Sequence, residues 1–288
     1  MINFALQVTA ASARGEWLET ARKAEANGFY ALACPHHPGA FPDPFVALAA
    51  AAAVTSTIRL AAHVVNAGVY EPMALASAVA TLDILSGGRV YLGVGTGHNP
   101  AEWDAVGMTM PDVRGRVDRC IAVAEATQRL LAGEEVTRDT LDLRMTAARL
   151  ASPSPIQQKV PLLIGGANPR LLGWAAAHAD ELAFPWLGRR WTLDQIDARL
   201  GPLRSRPIES MVHTFEVTDD AEPVFEKLGH HYGLDVDEVR QMPYVLVGSV
   251  EEIAASIRQH ERRWAITRYG VRATALDHLP ALRAVLHS

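Results

Sequence analysis

Two cysteines, Cys34 and Cys120, are all that the 288 residues contain. They are too few for a disulfide framework and too far apart for a CxxC motif, so both are expected to behave as small core residues. No basic block occurs: 27 Lys and Arg stand against 32 Asp and Glu, a formal net charge of −5. Nothing here would track a phosphate backbone, and nucleic acid is not an expected partner. Long apolar runs are missing as well. The longest, Phe45 to Val54, is about half a membrane span and mostly alanine, which reads as a buried helix, so no membrane partner is expected. Met1-Ile2-Asn3-Phe4 leads straight into alternating apolar residues, without the basic region, apolar stretch and cleavage site of a secretory signal, and the expected compartment is the cytoplasm. A G-x-G-x-x-G after the first strand is absent, which removes the usual signature of an open dinucleotide-binding sheet. The end of that strand reads Gln7-Val8-Thr9 rather than His-x-His, so no metal is expected.

What is present is the composition of a folded chain, 49% hydrophobic and 20% charged. Strand patterns fall at Ile2–Val8, Tyr30–Ala33, Ile58–Val65, Arg89–Val94, Val160–Gly165, Glu181–Phe184, Ser210–Val217 and Arg268–Arg272. Helical periodicity fills the gaps between them. Trp17, Leu18, Ala21 and Ala24 form a stripe that ends at Gly28; Asp43-Pro44 gives an N-cap and a first-position proline; Pro72 to Leu85 stops at Ser86-Gly87-Gly88. Later helices are expected at Val113–Leu131, Pro169–Ala179, Leu193–Leu200, Ala221–Leu228, Glu251–Trp264 and Leu279–Leu286. Eight strands joined through helices imply right-handed crossovers and a closed parallel sheet. The expected fold is α/β, a single (β/α)8 TIM barrel over residues 1–288. Ala132 to Lys159, without a period and containing Gly133, Pro153 and Pro155, is an insertion between the fourth helix (Val113–Leu131) and the fifth strand.

A parallel barrel carries its chemistry at the C-terminal ends of its strands. There the chain places Cys34-Pro35-His36-His37, Asn66-Ala67-Gly68, Gly95-Thr96-Gly97-His98 and Gly165-Gly166-Ala167-Asn168-Pro169. The last run follows an apolar strand and opens a helix, so its amides and the helix dipole favour an anion such as a phosphate; a plain capped turn would look the same, but Arg189 and Arg190 after the next strand tilt the balance. Gly93 to Gly97 leaves little bulk where a flat ring could lie, or simply forms a loose loop. His36 and His37 are adjacent on an extended segment, so only one can face the mouth. His37 with His98 makes two imidazoles able to move protons near neutral pH; hydrogen-bonded wall residues are the alternative, and for His63, inside the third strand, a wall role is the expectation.

These stretches resemble the luciferase-like monooxygenase superfamily, and within it the coenzyme F420 (deazaflavin) dependent branch. The resemblance is carried by Asp43-Pro44-Phe45 with Ala47 to Leu60, by Ala80-Thr81-Leu82-Asp83-Ile84-Leu85-Ser86-Gly87-Gly88-Arg89 through Gly97, by Glu102-Trp103, by Val160 to Ala167 with Ala179-Asp180, and by Leu246-Val247-Gly248-Ser249 to Ile253, nearly the length of the chain. It implies a non-prolyl cis peptide within Val65-Asn66-Ala67 beside the cofactor ring. It also implies that Ile164, Gly165, Gly166 and Ala167, with Arg189, hold the cofactor phosphate, and that His36, Gly95, Thr96 and Gly97 line the ring. Three positions depart from the deazaflavin branch. His36-His37 replaces the usual Asp-His, His98 stands where sugar-phosphate dehydrogenases have Glu, and Phe41 where they have Trp.

The expected chemistry is hydride transfer between coenzyme F420 and a small organic substrate, with His37 and His98 as the catalytic pair. The alternatives are an FMN-dependent monooxygenase using oxygen and a non-catalytic barrel that carries the cofactor. A homodimer through the early helices is also expected from the resemblance.

Overall fold

The computed structural model describes residues 1–9, 13–186 and 191–287. Strand and helix alternate through the first half as β1 (Asn3–Gln7), α1 (Arg14–Ala26), β2 (Ala31–Cys34), α2 (Pro44–Ala52), β3 (Arg59–Asn66), α3 (Pro72–Ser86) and β4 (Val90–Gly95). Two helices, α4 (Pro100–Ala105) and α5 (Val113–Leu131), then lead to β5 (Val136–Asp139) and β6 (Arg144–Ala148). The second half runs β7 (Leu162–Gly165), α6 (Pro169–His178), β8 (Glu181–Phe184), α7 (Leu193–Leu200), β9 (Ile208–Met211) and β10 (Thr214–Val217). It ends with α8 (Glu222–Tyr232), α9 (Val236–Arg240), β11 (Val245–Gly248), α10 (Val250–Trp264), β12 (Ile266–Val271) and α11 (Leu279–His287).

Eight strands close into a barrel in the order β1-β12-β9-β8-β7-β4-β3-β2, every neighbouring pair parallel where its register is given. The expected α/β TIM barrel is therefore the observed fold. The local reasons are those read from the residues. Asp43 caps α2 by accepting the Val46 amide, with Pro44 at the first helical position. Gly87, at φ +70, ends α3 in the left-handed conformation that costs glycine nothing. Alternate residues of the strands face opposite ways. Leu6, Leu32, Leu60, Leu92, Ile164 and Leu182 pack outward in the large core shared with the helices, while Ala5, Ala31, Ala33, Ala61 and Ala183 gather with Tyr91 and Leu163 inside the barrel. Each fully buried leucine contributes about 1.5–3 kcal/mol.

The helices α4 and α9 and the strand β11 are additions to the sequence reading, and three further local features differ from it. The run Ser210–Val217 is two strands: β9 stays in the barrel, and after Val212 and His213 the chain turns out as β10 to pair with β11. An apolar alternation carries no information about which partner each half takes. The insertion contains an antiparallel hairpin, β5 with β6, whose strands are largely exposed and so show no two-faced pattern. The non-prolyl cis peptide lies between His63 and Val64 instead of within Val65-Asn66-Ala67. It falls inside a bulge, because β3 advances from Ala62 to Val65 while β4 advances only from Leu92 to Val94.

Candidate active site at the barrel mouth

The chain leaves β2 extended, and His36 and His37 depart to opposite sides. His36 is buried, and its Nδ1 accepts the Asn66 amide at 3.2 Å, with its ring 5.3 Å from that of Tyr70. Burial pulls its pKa below the ordinary value against the opposing pull of Asp43 and Glu102, so Nδ1 stays an acceptor at neutral pH. His37 turns toward the mouth. Its Nδ1 lies 2.6 Å from Glu102 Oε1, and its side chain is 29% exposed while that of Glu102 is 4% exposed.

Glu102 comes from α4, the short helix begun by Asn99 as N-cap and Pro100. Its other oxygen, Oε2, accepts Asn66 Nδ2 at 2.6 Å, and Asn99 Nδ2 reaches Oε1 at 3.3 Å. Burial alone would raise its pKa, but the hydrogen bonds from His37 and Asn66 outweigh it and hold the carboxyl below the usual range. An ionised Glu102 can only accept, so Nδ1 of His37 carries the hydrogen and Nε2 is the nitrogen available for proton exchange. The ring of His98 stands edge-on to that of His37, centroids 5.5 Å apart. Burial first, and the neighbouring His37 second, lower its pKa. The ring of Phe41 meets His37 on another edge at 5.2 Å.

Glycines set the floor of the mouth. A Cβ on Gly95 would stand 2.6 Å from Val64 Cγ2, one on Gly165 2.8 Å from Val64 Cγ1, and one on Gly93 3.1 Å from the same atom. The bulge turns Val64 inward, onto the alanine and tyrosine cluster inside the barrel, where it is only half-buried. Gly97, at φ +68, lies against Asn66, whose Oδ1 would be 2.0 Å from an added Cβ. Asn66 Oδ1 also accepts the Gly68 amide at 2.8 Å. On the opposite side Gly95 and Gly165 are register partners of β4 and β7, so the turn 165–168 adjoins the turn 95–97. In it Asn168 caps α6 by accepting the amides of Arg170 and Leu171, and Gly166 donates to the Ala183 carbonyl at 2.9 Å. The amides of Ala167 and Asn168 have no partner among the described residues and can meet an anion at the helix N-terminus. Arginines brace these turns from behind: Arg116 donates to the Gly97 carbonyl at 2.8 Å, and Arg199 donates to that of Ala167.

The structure thus gathers His37, His98, Asn66, Gly95, Thr96 and Gly97 on one side and Gly165, Gly166 and Ala167 beside them. Val65, Ala67 and Ile164 are fully buried with their side chains in the layer between barrel and helices, so only their backbone lies near the mouth. Arg189 and Arg190 fall outside the described residues. Among the described residues no cluster of His, Cys, Asp and Glu could hold a metal ion. Sequence reasoning passed over Glu102 as a site residue, although its place three residues after an Asn-Pro helix start was readable; nothing in the sequence pointed to Val64.

Residues 2–264 match the model of the luciferase-like monooxygenase family. The F420-dependent glucose-6-phosphate dehydrogenase of Kineococcus radiotolerans is 32% identical over 146 residues, 50% of this chain and 42% of that protein. The 4-hydroxyprotoasukamycin monooxygenase of Streptomyces nodosus subsp. asukaensis is 35% identical over 136 residues, 46% of this chain and 36% of that protein. The chain spans about half or less of the length of such curated relatives. Among solved structures, an F420-dependent secondary alcohol dehydrogenase in complex with an F420-acetone adduct superposes with a TM-score of 0.80 over 100% of this chain and 99% of the other, at 16% identity. With the family model covering nearly all of the barrel, the chain belongs to the luciferase-like monooxygenase family.

Proposed function

We propose that this protein is an oxidoreductase that moves a hydride between coenzyme F420 and a small organic substrate at the barrel mouth. The observation that carries the reading is the seat made by Val64 on three glycine positions, with the Glu102-held His37 on one side and the unpartnered amides of Ala167 and Asn168 on the other. A planar ring with a phosphorylated tail fits that arrangement: the apolar floor meets a ring face, and the α6 turn meets the phosphate. When bound, a deazaflavin supplies or accepts the hydride. The residues of this chain do the rest. Val64, seated by Gly95, would lie under the ring, and Gly165 to Asn168 would hold the tail. His37, with Nδ1 fixed by Glu102, gives or takes the matching proton at Nε2, and His98 beside it stays neutral and can exchange with it.

The test is a fluorescence titration of the purified protein with coenzyme F420 and with FMN. Tight binding of the deazaflavin, and turnover lost on replacing His37 by Ala, are expected. FMN binding without deazaflavin binding would favour the second reading, a flavin-dependent monooxygenase, which the 35%-identical monooxygenase supports. The pairing of two copies through α2 and α3, which leave Val46 73% and Leu85 60% exposed, is part of the same proposal and is checked by sedimentation.

A further inference from the structure

Beneath Val64 the barrel holds a polar group that the reading above does not use. His63, 3% exposed, and Glu209, 2% exposed, lie inside the barrel with Nε2 and Oε1 2.8 Å apart, the ring N–H aimed off the line between them. Gln7, at the end of β1, reaches the same residue from the other side. Its Nε2 donates to the His63 carbonyl at 2.6 Å and stands 3.2 Å from His63 Nδ1. Arg272, at the end of β12, donates to Gln7 Oε1.

The chemistry of these groups fixes their direction. Arginine has donors only, so the amide oxygen of Gln7 must face Arg272 and its NH2 must face His63. His63 Nδ1 is then an acceptor, and its proton sits on Nε2, the nitrogen 2.8 Å from Glu209 Oε1. The contacts run one way, from Arg272 through Gln7 and His63 to Glu209, joining β12, β1, β3 and β9. The carbonyl they hold belongs to the residue immediately before Val64. Two buried side chains and a clamp on one carbonyl are more than a wall histidine needs.

We propose that Gln7, His63 and Glu209 form a bracket of positioning residues that presents Val64 at the mouth at the height a cofactor ring requires. The bracket rests on the reading of the mouth as a ring site. The glycines at 93, 95 and 165 make room for Val64 but do not hold it. What holds it is the residue before, tied by its carbonyl to Gln7 and by its side chain to Glu209. The bracket is a matter of geometry, so none of its three members needs to touch the substrate or exchange a proton with it.

The experiment measures ring affinity, not turnover, by fluorescence titration of wild type and variants with coenzyme F420 and with FMN, and follows folding by circular dichroism. Replacing its buried ion pair, His63→Leu with Glu209→Leu, leaves no buried charge unpaired, so the double variant is expected to fold. Its ring affinity is expected to fall at least about tenfold, which is ~1.4 kcal/mol. Glu209→Gln keeps shape and an acceptor for His63 Nε2, and its affinity is expected to stay within about threefold of wild type. Should the double variant not fold, Gln7→Leu, which frees the His63 carbonyl and also removes the contacts of Gln7 with His63 Nδ1 and Arg272, is expected to show the same tenfold loss. A folded double variant or Gln7→Leu with wild-type affinity overturns the bracket, and so does a Glu209→Gln loss as large as the double variant's, because charge would then be acting in place of position. Failure of wild type to bind either ring takes down the proposed function and the bracket together; wild-type binding with unchanged variants takes down the bracket alone.

Discussion

Gly95→Ala is the perturbation that tests most directly how the mouth is built. The new Cβ would lie 2.6 Å from Val64 Cγ2 and 3.6 Å from Val64 Cβ, with the Gly165 carbonyl at 3.4 Å. Val64 is flanked on its other sides by Gly165 and Gly93, on which it also packs. Gly95 does not have positive φ, so alanine is tolerated by the backbone and gains about 0.4–1 kcal/mol by restricting the unfolded chain. Against this stands an overpacking cost of about 1–3 kcal/mol. A net loss of about 1–2 kcal/mol lowers the Tm of a chain this long by roughly 2–5 °C. Val64→Ala in the same chain removes the atom that is struck. By itself that change costs only about 1 kcal/mol for a half-buried side chain, and in the double variant the Gly95→Ala penalty should vanish, a coupling of about 1–2 kcal/mol between the two sites. Thermal melts of the four proteins measure the cycle. Strictly additive shifts, or a Gly95→Ala protein as stable as wild type, would refute the idea that the glycine exists to seat Val64.

Glu102→Ala strands one buried donor, Asn66 Nδ2, and one partly exposed donor, His37 Nδ1, and should cost about 1–3 kcal/mol in a thermal melt, whereas Glu102→Gln, which keeps an acceptor, should cost less than half of that. Asp83 is buried and accepts the amides of Ile156 and Gln157 and the side chain of Gln157; Asp83→Ala should lose about 2–4 kcal/mol and raise proteolysis within the insertion, while equal cleavage of both proteins would show that this carboxylate does not pin it. Acid unfolding should begin with His260, whose pKa burial lowers to about 4. The folded chain keeps it neutral while the unfolded chain protonates near 6.5, so its contribution is present above that value and is lost between about pH 6.5 and 4. A second loss should follow below about pH 4.5 from Glu25, where burial would raise the carboxyl but hydrogen bonds from the amides of Ile58, Thr57 and Ser56 prevail and hold it at about 2. It amounts to about 1–2 kcal/mol once solvent screening is allowed for, and Glu25→Gln should remove it from the urea midpoint measured against pH.

The barrel was readable because each of its strands is short, apolar and followed by a turn signal, and because caps such as Asp43-Pro44 and Ser86-Gly87-Gly88 mark where helices start and stop. Elements that are exposed or partnered outside the barrel carried no such mark. The β5–β6 hairpin has little buried surface to impose a period of two. β10 is continuous in pattern with β9, and only its pairing with β11 separates them. α4 and α9 are too short for a stripe to repeat.

At the mouth the residue types were legible and their reasons were not. The glycines of β4 and the following turn invite the reading that they leave space for a ligand ring. The structure gives each a protein neighbour: Gly93 accommodates the Ala62 carbonyl and Val64, Gly95 accommodates Val64, as does Gly165 of β7, and Gly97 accommodates Asn66. What faces the barrel mouth is therefore a valine, turned inward by a bulge that no periodicity argument can see, since a one-residue slip leaves the sequence alternation on both sides intact. The histidines show the same limit. The opposite facing of His36 and His37 follows from an extended backbone, but which of them turns to the mouth is decided by Glu102. That carboxylate stands 65 residues further along the chain than His37, and it comes beside the ring only when α4 folds back over Asn66.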